Sequence, residues 1–548
     1  MRRDLNQLAS ESYDLLIIGG GVNGLATAWD ATLRGLKTAL VDKGDFGGAT
    51  SSASLKIIHG GLRYLQHLDF ARMREHVAER RALQAIAPHL IAPFPFLVPT
   101  HGLGTGGRPA MRAAMAVNDL VSYDRNRGLL AERHIPRGRT ISRDEVLDIA
   151  PGLNPDGLTG GALFYDARMH NAERMNLLFA IGADHRGADL ANYIEVTGFR
   201  RADRQLEAVA CRDLLGGGTF EIRAASFINM TGPWTDQLIQ LARADDDTQP
   251  LPEQRHSAGF QIISPPVTTR EIGLGVTSRH VDPDAKISRG GGRHYFTTPW
   301  RGKTIWGTTD HLYSGAPEQW RIDEDHIDTF IEEINTAMPG AKLDRHDVVH
   351  AYGGLRPIEA KNEMRGSQVS RHFQLFDHSV DLGLQNFVSL RGVKYTACRL
   401  MAEKTLDLLL ANLERKARPC ITAETPLPGA ERVPAMPDWL PGSIGEHLGR
   451  TYGSAAAAIL ERFQADESSR AALPGSEVTR AELLHALEDE SCLFLSDLVF
   501  RRTELCTLGH PGPALEQAAA MMASARGWTA QFTAAEIAAV ETRLPVAL

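Results

Sequence analysis

The stretch SSASLKIIHGGLRYLQH, Ser51 to His67, sets His59, Arg63 and Tyr64 around a Gly-Gly pair. A neutral imidazole, with an ordinary pKa of about 6.5, takes up a proton near working pH. Such a group could accept the hydroxyl proton of an alcohol, with an arginine and a tyrosine beside it to meet a polar substrate. A histidine after a strand equally suits a satisfied core position, so the type alone leaves both readings open. Two consecutive glycines are poor in helix or strand, so the backbone there is expected to pass close to another group.

Upstream, Gly19, Gly21 and Gly24 form GxGxxG between the apolar run YDLLII and a helical pattern reaching about Leu33. Gly35 ends that helix, and a second run, KTALVD, closes on Asp42. This is a β-α-β unit with a dinucleotide signature: a tight turn, close approach of backbone to pyrophosphate, close packing of helix on strand, and an acid for a ribose. The helix N-terminus adds unpaired N–H groups and about half a positive charge. The unit does not separate NAD from FAD, which share the ADP half. Thr50, Ser51 and Ser52 follow as small hydroxyl residues able to line a pyrophosphate and ring, and Thr231-Gly232 closes a later strand in INMTGPW. Ordinary turns would read the same way.

The elements that must position these residues fit a chain of 548 residues, long enough for several domains. A net charge of -8 argues against a general nucleic-acid binder. Five cysteines without a CxxC pair argue against a disulfide framework or zinc knuckle and fit a reducing cytosol. No apolar run reaches the ~18 residues of a spanning helix, and the N-terminus has none long enough for a signal peptide. Between Arg125 and Arg143 six arginines stand against the single acid Glu132. They read as a solvated mobile loop or as a dock for an anionic membrane surface. Strands are expected at ASFINMTGPW, HYFTTPW, KTIWGTTD and NFVSLRGVKYT. After a Pro-rich linker the chain turns helical, with Thr479 and Glu482, and again Thr533 and Glu536, spaced as capping boxes.

In this order, GGGVNG, TSSASLKIIHGGLRYLQH, NMTGPW, WGTTD, GGLRP, VKYTACRLMAE and DLVFRRTEL resemble the FAD-dependent, membrane-associated glycerol-3-phosphate dehydrogenases over nearly the whole chain. The resemblance implies FAD, held by Gly19, Gly21, Gly24, Asp42, Thr50, Ser51, Ser52, Leu190, Thr231, Gly232, Arg356 and Lys394. It implies His59 as general base, Arg356 and Lys394 as catalytic cations, and Arg63, Tyr64, Thr309 and Arg371 as substrate contacts. Four cations suit a phosphate, since charge-assisted hydrogen bonds net about 1.5–3 kcal/mol each. Two departures stand out: Val393 where relatives carry glycine before the lysine, and Ala258-Gly259-Phe260-Gln261 where they carry a basic-Gly-x-His segment.

The expected fold is α/β: a Rossmann-like FAD domain (13–95, 160–240 and 350–412) interleaved with a mixed-sheet substrate domain (96–159 and 241–349). It is of the D-amino-acid-oxidase kind. A linker (413–429) and a C-terminal helical domain (430–548) follow. The expected activity is oxidation of sn-glycerol 3-phosphate to dihydroxyacetone phosphate, with hydride to flavin N5 and electrons passed to a quinone. The expected enzyme is a cytoplasmic homodimer, peripheral on the membrane, with no metal. An oxygen-using oxidase of another hydroxy acid or amino acid is one alternative, and a non-catalytic flavin- and anion-binding sensor is another.

Overall fold

The computed structural model describes residues 1–104, 106–243, 255–281, 292–358, 373–392 and 394–544, with backbone alone at 63, 66, 67, 278–281 and 292–294. Arg371 and Val393 lie outside the described residues.

The apolar runs of the N-terminal half become the centre of a six-stranded sheet. Its order is Gln374–Asp377, Phe387–Arg391, Phe227–Asn229, Leu15–Ile18, Thr38–Val41, Asp189–Ala191. All neighbours are parallel except the first pair. Leu15–Ile18 and Thr38–Val41 are buried throughout, as continuous apolar runs in a parallel sheet must be. Leu15 and Ile17 enter one core with helices Val22–Leu33, Ala172–Asp184 and Cys398–Asn412. Leu16 and Ile18 face the other side, where a four-stranded sheet supplies Val196, Leu206, Val209 and Ile222. The run YDLLII divides at Asp14: Ser12–Tyr13 joins that smaller sheet and Leu15–Ile18 the larger.

A ten-stranded mixed sheet holds most of the remaining strands, including Ile57–Ile58, Ile91–His101, Leu158–Met169, His256–Ser264 and Lys303–Gly307. His350–Pro357 pairs antiparallel with His256–Ser264 beside this path. Helix Glu324–Ala337 covers the sheet with Ile327, Phe330, Ile331 and Ile334 against Phe260, Ile262 and Trp306.

The C-terminal region is helical, with helices at Gly442–Tyr452, Ala456–Ala465, Arg480–Asp489, Pro513–Arg526 and Ala530–Glu541. Thr479 and Glu482 form the expected capping box, the Thr479 N–H donating to Glu482 Oε2 at 2.7 Å. The second box is not formed. The last helix starts a turn earlier, capped by Thr529, and Glu536 instead accepts the Leu495 N–H at 2.9 Å. Thr529 offers the same hydroxyl four positions upstream, so spacing alone did not choose between them.

The arginine-rich segment is largely ordered rather than a free loop. Arg125 is buried, ion-paired with Asp119 at 3.1 Å and donating to the Ile135 carbonyl. Arg139 pairs with Glu145 at 3.0 Å, which leaves Arg127 and Arg137 among the exposed positions.

Candidate active site

The glycine turn is built as its spacing predicts. A Cβ on Gly24 would lie 1.9 Å from the Gly19 carbonyl oxygen, so only glycine lets helix and strand approach. Gly19 has φ +109° and presses on the Met230–Thr231 peptide, where an added Cβ would lie 2.6 Å from the Met230 oxygen. The two turns expected to flank a cofactor therefore touch. Thr231 and Gly232, which is left-handed at φ +57°, stand at the carboxyl end of the central strands. The Ser51 hydroxyl accepts the Val22 N–H at 2.9 Å, tying the Thr50–Ser52 turn to the start of the helix. Leu190 is a core residue paired with Leu40 across the sheet.

Asp42 accepts N–H bonds from Gly20 and, at 2.6 Å, from Gly44. Burial raises its pKa against those two bonds. A carboxylate offers about four lone-pair sites, so two remain for a ribose. Asn23, in the first turn of the helix, keeps a buried Oδ1 without a partner. A turn that only glycine fits, spare acceptors on Asp42 and this orphaned oxygen fit the ADP half of a dinucleotide.

The Thr50–Ser54 segment runs along strand His350–Pro357. The Thr50 hydroxyl donates to the Leu355 carbonyl at 2.9 Å, the Tyr352 hydroxyl donates to the Ser54 carbonyl at 3.0 Å, and Gly354 leaves room for Thr50 itself. Arg356 is next along that strand. Its Nη2 donates to the Thr309 carbonyl at 3.0 Å and to Ser257 Oγ at 3.2 Å, with Asp310 at 3.9 Å. Thr309 is buried and its hydroxyl serves the neighbouring strand, accepting the Phe260 N–H at 2.9 Å. Its visible part in the site is to aim Arg356. Gln261 donates to Thr308 Oγ1 at 2.9 Å, and its amide oxygen is buried without a partner.

His59 lies at the end of strand Ile57–Ile58 with about half its side chain exposed (49%). Its backbone N–H donates to Thr396 Oγ1 at 3.0 Å, which joins it to the segment carrying Lys394. Its Nδ1 lies 3.4 Å from Asp166 Oδ2. Asp166 is buried, takes the Gly60 N–H at 2.6 Å and pairs with the buried Arg80. Burial alone would raise the Asp166 carboxyl, but His59, Arg80 and the Gly60 N–H outweigh it and hold it below the carboxylate range. An ionised Asp166 fixes the proton of His59 on Nδ1 and leaves Nε2 as the basic atom.

This arrangement explains the Gly-Gly pair. A Cβ on Gly60 would lie 2.1 Å from Arg80 Nη1, and Gly61 is left-handed at φ +81°. The close neighbour at Gly60 is the Arg80–Asp166 pair.

Tyr64 is buried, and its hydroxyl lies 3.1 Å from His76 Nε2. Burial, with Lys394 and His59 nearby, lowers His76 to a pKa of about 3, so it is neutral and its Nε2 can accept a hydrogen bond from the Tyr64 hydroxyl. The Lys394 ammonium donates to the same hydroxyl oxygen and stands 4.4 Å from the ring centroid. Lys394 is thus steered by Tyr64, and Tyr64 by His76.

Asp166, Arg80 and His76 carry no motif of their own in the sequence. Two signals pointed to them: an acid inside the strand run ALFYDARM, and His76 and Arg80 on one helical face at i and i+4.

Comparison with known proteins gives these turns a context. The profile described as FAD dependent oxidoreductase matches residues 14–396, and that of the C-terminal domain of alpha-glycerophosphate oxidase matches 420–533. A glycerol-3-phosphate dehydrogenase of Synechocystis is 34% identical over 92% of this chain and 90% of its own. The human mitochondrial glycerol-3-phosphate dehydrogenase is 31% identical over 91% of this chain and 68% of its own. The chain belongs to the FAD-dependent glycerol-3-phosphate dehydrogenase family. It is an FAD-dependent oxidoreductase of that family, with the fold expected for it. The fold matches a Bacillus halodurans glycerol-3-phosphate dehydrogenase complexed with FAD at TM-score 0.73 and 23% identity, covering 98% of this chain and 95% of that one.

Proposed function

We propose that this enzyme oxidises sn-glycerol 3-phosphate to dihydroxyacetone phosphate and hands the electrons to a quinone. The observation that carries the reading is the meeting of a carboxylate-held His59 with the Tyr64-steered Lys394, next to the Thr50–Ser54 segment that leads to Arg356. Its relatives are named glycerol-3-phosphate dehydrogenases, which supports the substrate.

In this reading the substrate C2 hydroxyl gives its proton to His59 Nε2 as the C2–H bond breaks. FAD, when bound, supplies the two-electron acceptor for that hydride at N5. Lys394 and Arg356 offset the negative charge that develops on oxygen and cofactor. Arg63 and Arg371 complete the phosphate contacts by family resemblance. Asp166 stays ionised and keeps the imidazole in register.

Among the described residues no helix is long and apolar enough to cross a membrane. A surface contact is supported by helix Arg108–Val121 and its flanks, where Leu103, Leu120 and Tyr123 are each at least 74% exposed beside exposed Arg108, Arg112 and Arg127. Apolar side chains ringed by arginines suit an anionic bilayer, where a quinone resides.

The test is anaerobic. Mixing the yellow enzyme with glycerol 3-phosphate should bleach the flavin within the turnover time, and a quinone analogue should restore the colour. A flavin that stays oxidised would sink the substrate assignment. Recovery with oxygen but not with quinone would sink the acceptor.

A further inference from the structure

The motif DLVFRRTEL lies in the C-terminal region, and both of its arginines are buried, Arg502 completely. Residues Leu498–Arg502 form a π-helical turn, closed by the Thr503 N–H on the Leu498 carbonyl at 2.8 Å. The turn brings Arg501 and Arg502 to one carboxylate. Arg502 grips Asp45 with two bonds of 2.6 and 2.7 Å, and Arg501 adds a third at 2.5 Å. Arg501 also donates to Asp497 at 2.6 Å, and Asp497 accepts the Tyr193 hydroxyl at 2.6 Å. Burial would raise Asp45, but Arg502 and Arg501 hold it well below the carboxylate range, while burial and Asp45 itself raise Asp497.

Asp45 is three residues beyond Asp42, in the loop that continues into Thr50–Ser52. The loop is pinned at both ends. The Gly47 N–H donates to the Gly20 carbonyl at 2.8 Å, inside the glycine turn. The Asp42 carbonyl accepts from Ile194 at 2.8 Å and the Gly44 carbonyl from Tyr193 at 3.1 Å. Asn192 donates both to Asp45 at 2.9 Å and to the Ser491 carbonyl at 3.0 Å. One face of the loop therefore borders the predicted ADP site and the other is clamped by the C-terminal helices.

We propose that Arg501 and Arg502 are positioning residues for FAD, and that docking of the C-terminal domain and retention of the cofactor are thermodynamically linked through Asp45. This rests on the reading that the Asp42–Ser52 loop holds the cofactor. A loop ordered by the arginines binds FAD without bearing the ordering cost at that moment, and bound FAD in turn keeps Asp45 presented to the arginines. Linkage is reciprocal, so each event tightens the other by the same factor.

The test uses the full chain. FAD affinity is measured by quenching of flavin fluorescence on titration into deflavinated protein. Arg501→Gln should weaken FAD binding tenfold or more. Asp45→Asn should do the same, and the double variant should be no worse than the weaker single, because the two act through one contact. Asp42→Ala controls for the loop assignment: unchanged affinity there overturns the loop reading and this proposal together. Weakened affinity in Asp42→Ala with unchanged affinity in a folded Arg501→Gln overturns only the linkage. Should Arg501→Gln fail to fold, hydrogen exchange on the wild-type chain decides. Removing FAD should deprotect amides of 495–506 at least tenfold while those of helix Ala456–Ala465 keep their rates. Equal protection with and without FAD overturns the proposal.

Discussion

Asp166→Asn is the most informative single change. It keeps the shape of the side chain and removes its charge. Two consequences separate cleanly. Arg80, with 4% of its side chain exposed, loses its counterion, and breaking a buried pair from one side costs about 3–5 kcal/mol of stability. His59 loses the anion that holds its Nδ1 proton, and an amide can meet Nδ1 through either end, so the basic atom is no longer fixed on Nε2. General-base catalysis is worth about 10²–10⁴ in rate, and loss of the fixed geometry should remove about 10²–10³ of it. That corresponds to about 3–4 kcal/mol of barrier at 1.36 kcal/mol per decade. The assay is stopped-flow bleaching of the bound flavin by glycerol 3-phosphate without an acceptor. The companion variant Asp166→Asn/Arg80→Met removes the stranded charge. It should recover most of the lost melting temperature and none of the lost rate. A single variant that bleaches within threefold of wild type refutes the role of Asp166, and a double variant that regains the rate shows that the loss was one of folding.

Other outcomes follow from the same geometry. Burial next to Lys56 lowers His350 to a pKa of about 4, below its ordinary 6.5, so its stabilising neutrality is complete above pH 6.5 and lost as pH falls toward 4. His350→Phe should therefore flatten the acid limb of the melting curve by about 3 kcal/mol, taken from the shift at 1.36 kcal/mol per unit, while pH 8 stability changes little; parallel limbs would contradict the burial argument. Lys394→Met should slow flavin reduction by about 10–100-fold, the equivalent of one charge-assisted contact of about 1.5–3 kcal/mol, with FAD still bound; an unchanged rate in stopped flow would remove Lys394 from the chemistry. Gly60→Ala should lower the melting temperature and the reduction rate together, because the added methyl meets Arg80; a neutral result by calorimetry and stopped flow would deny the contact. Leu120→Asp with Tyr123→Asp should abolish co-sedimentation with vesicles containing anionic lipid and leave flavin bleaching in solution intact; retained binding would move the membrane contact elsewhere.

What was legible beforehand was local. The GxGxxG turn, the strands on either side of it and the Thr479 capping box are each decided by residues within a few positions, and the spacing shows them. The site was legible only as a set of isolated residues. His59 and Tyr64 could be named, but their partners Asp166 and Lys394 arrive from strands and turns far along the chain, where no period links them. The Gly-Gly pair tells only that something passes close to the backbone; that Arg80 is one such neighbour needs the fold. Arg125 looked like surface charge because arginine counts do not reveal an Asp119 beneath. The family resemblance carried the roles that spacing could not.

The pairing of Asp45 with Arg501 spans 456 positions, and that separation has a meaning in time. Synthesis proceeds at about 5–20 residues per second, so roughly 20–90 s pass between the loop leaving the ribosome and the arrival of its clamp. Through that interval Asp45 is without the two guanidinium groups that hold it in the finished structure. A ribosome-arrested chain ending before Leu495 should consequently be cut by protease within 42–52, and one extended past Thr507 and clear of the exit tunnel should resist. A truncation before Leu495 is therefore felt at the loop after Asp42.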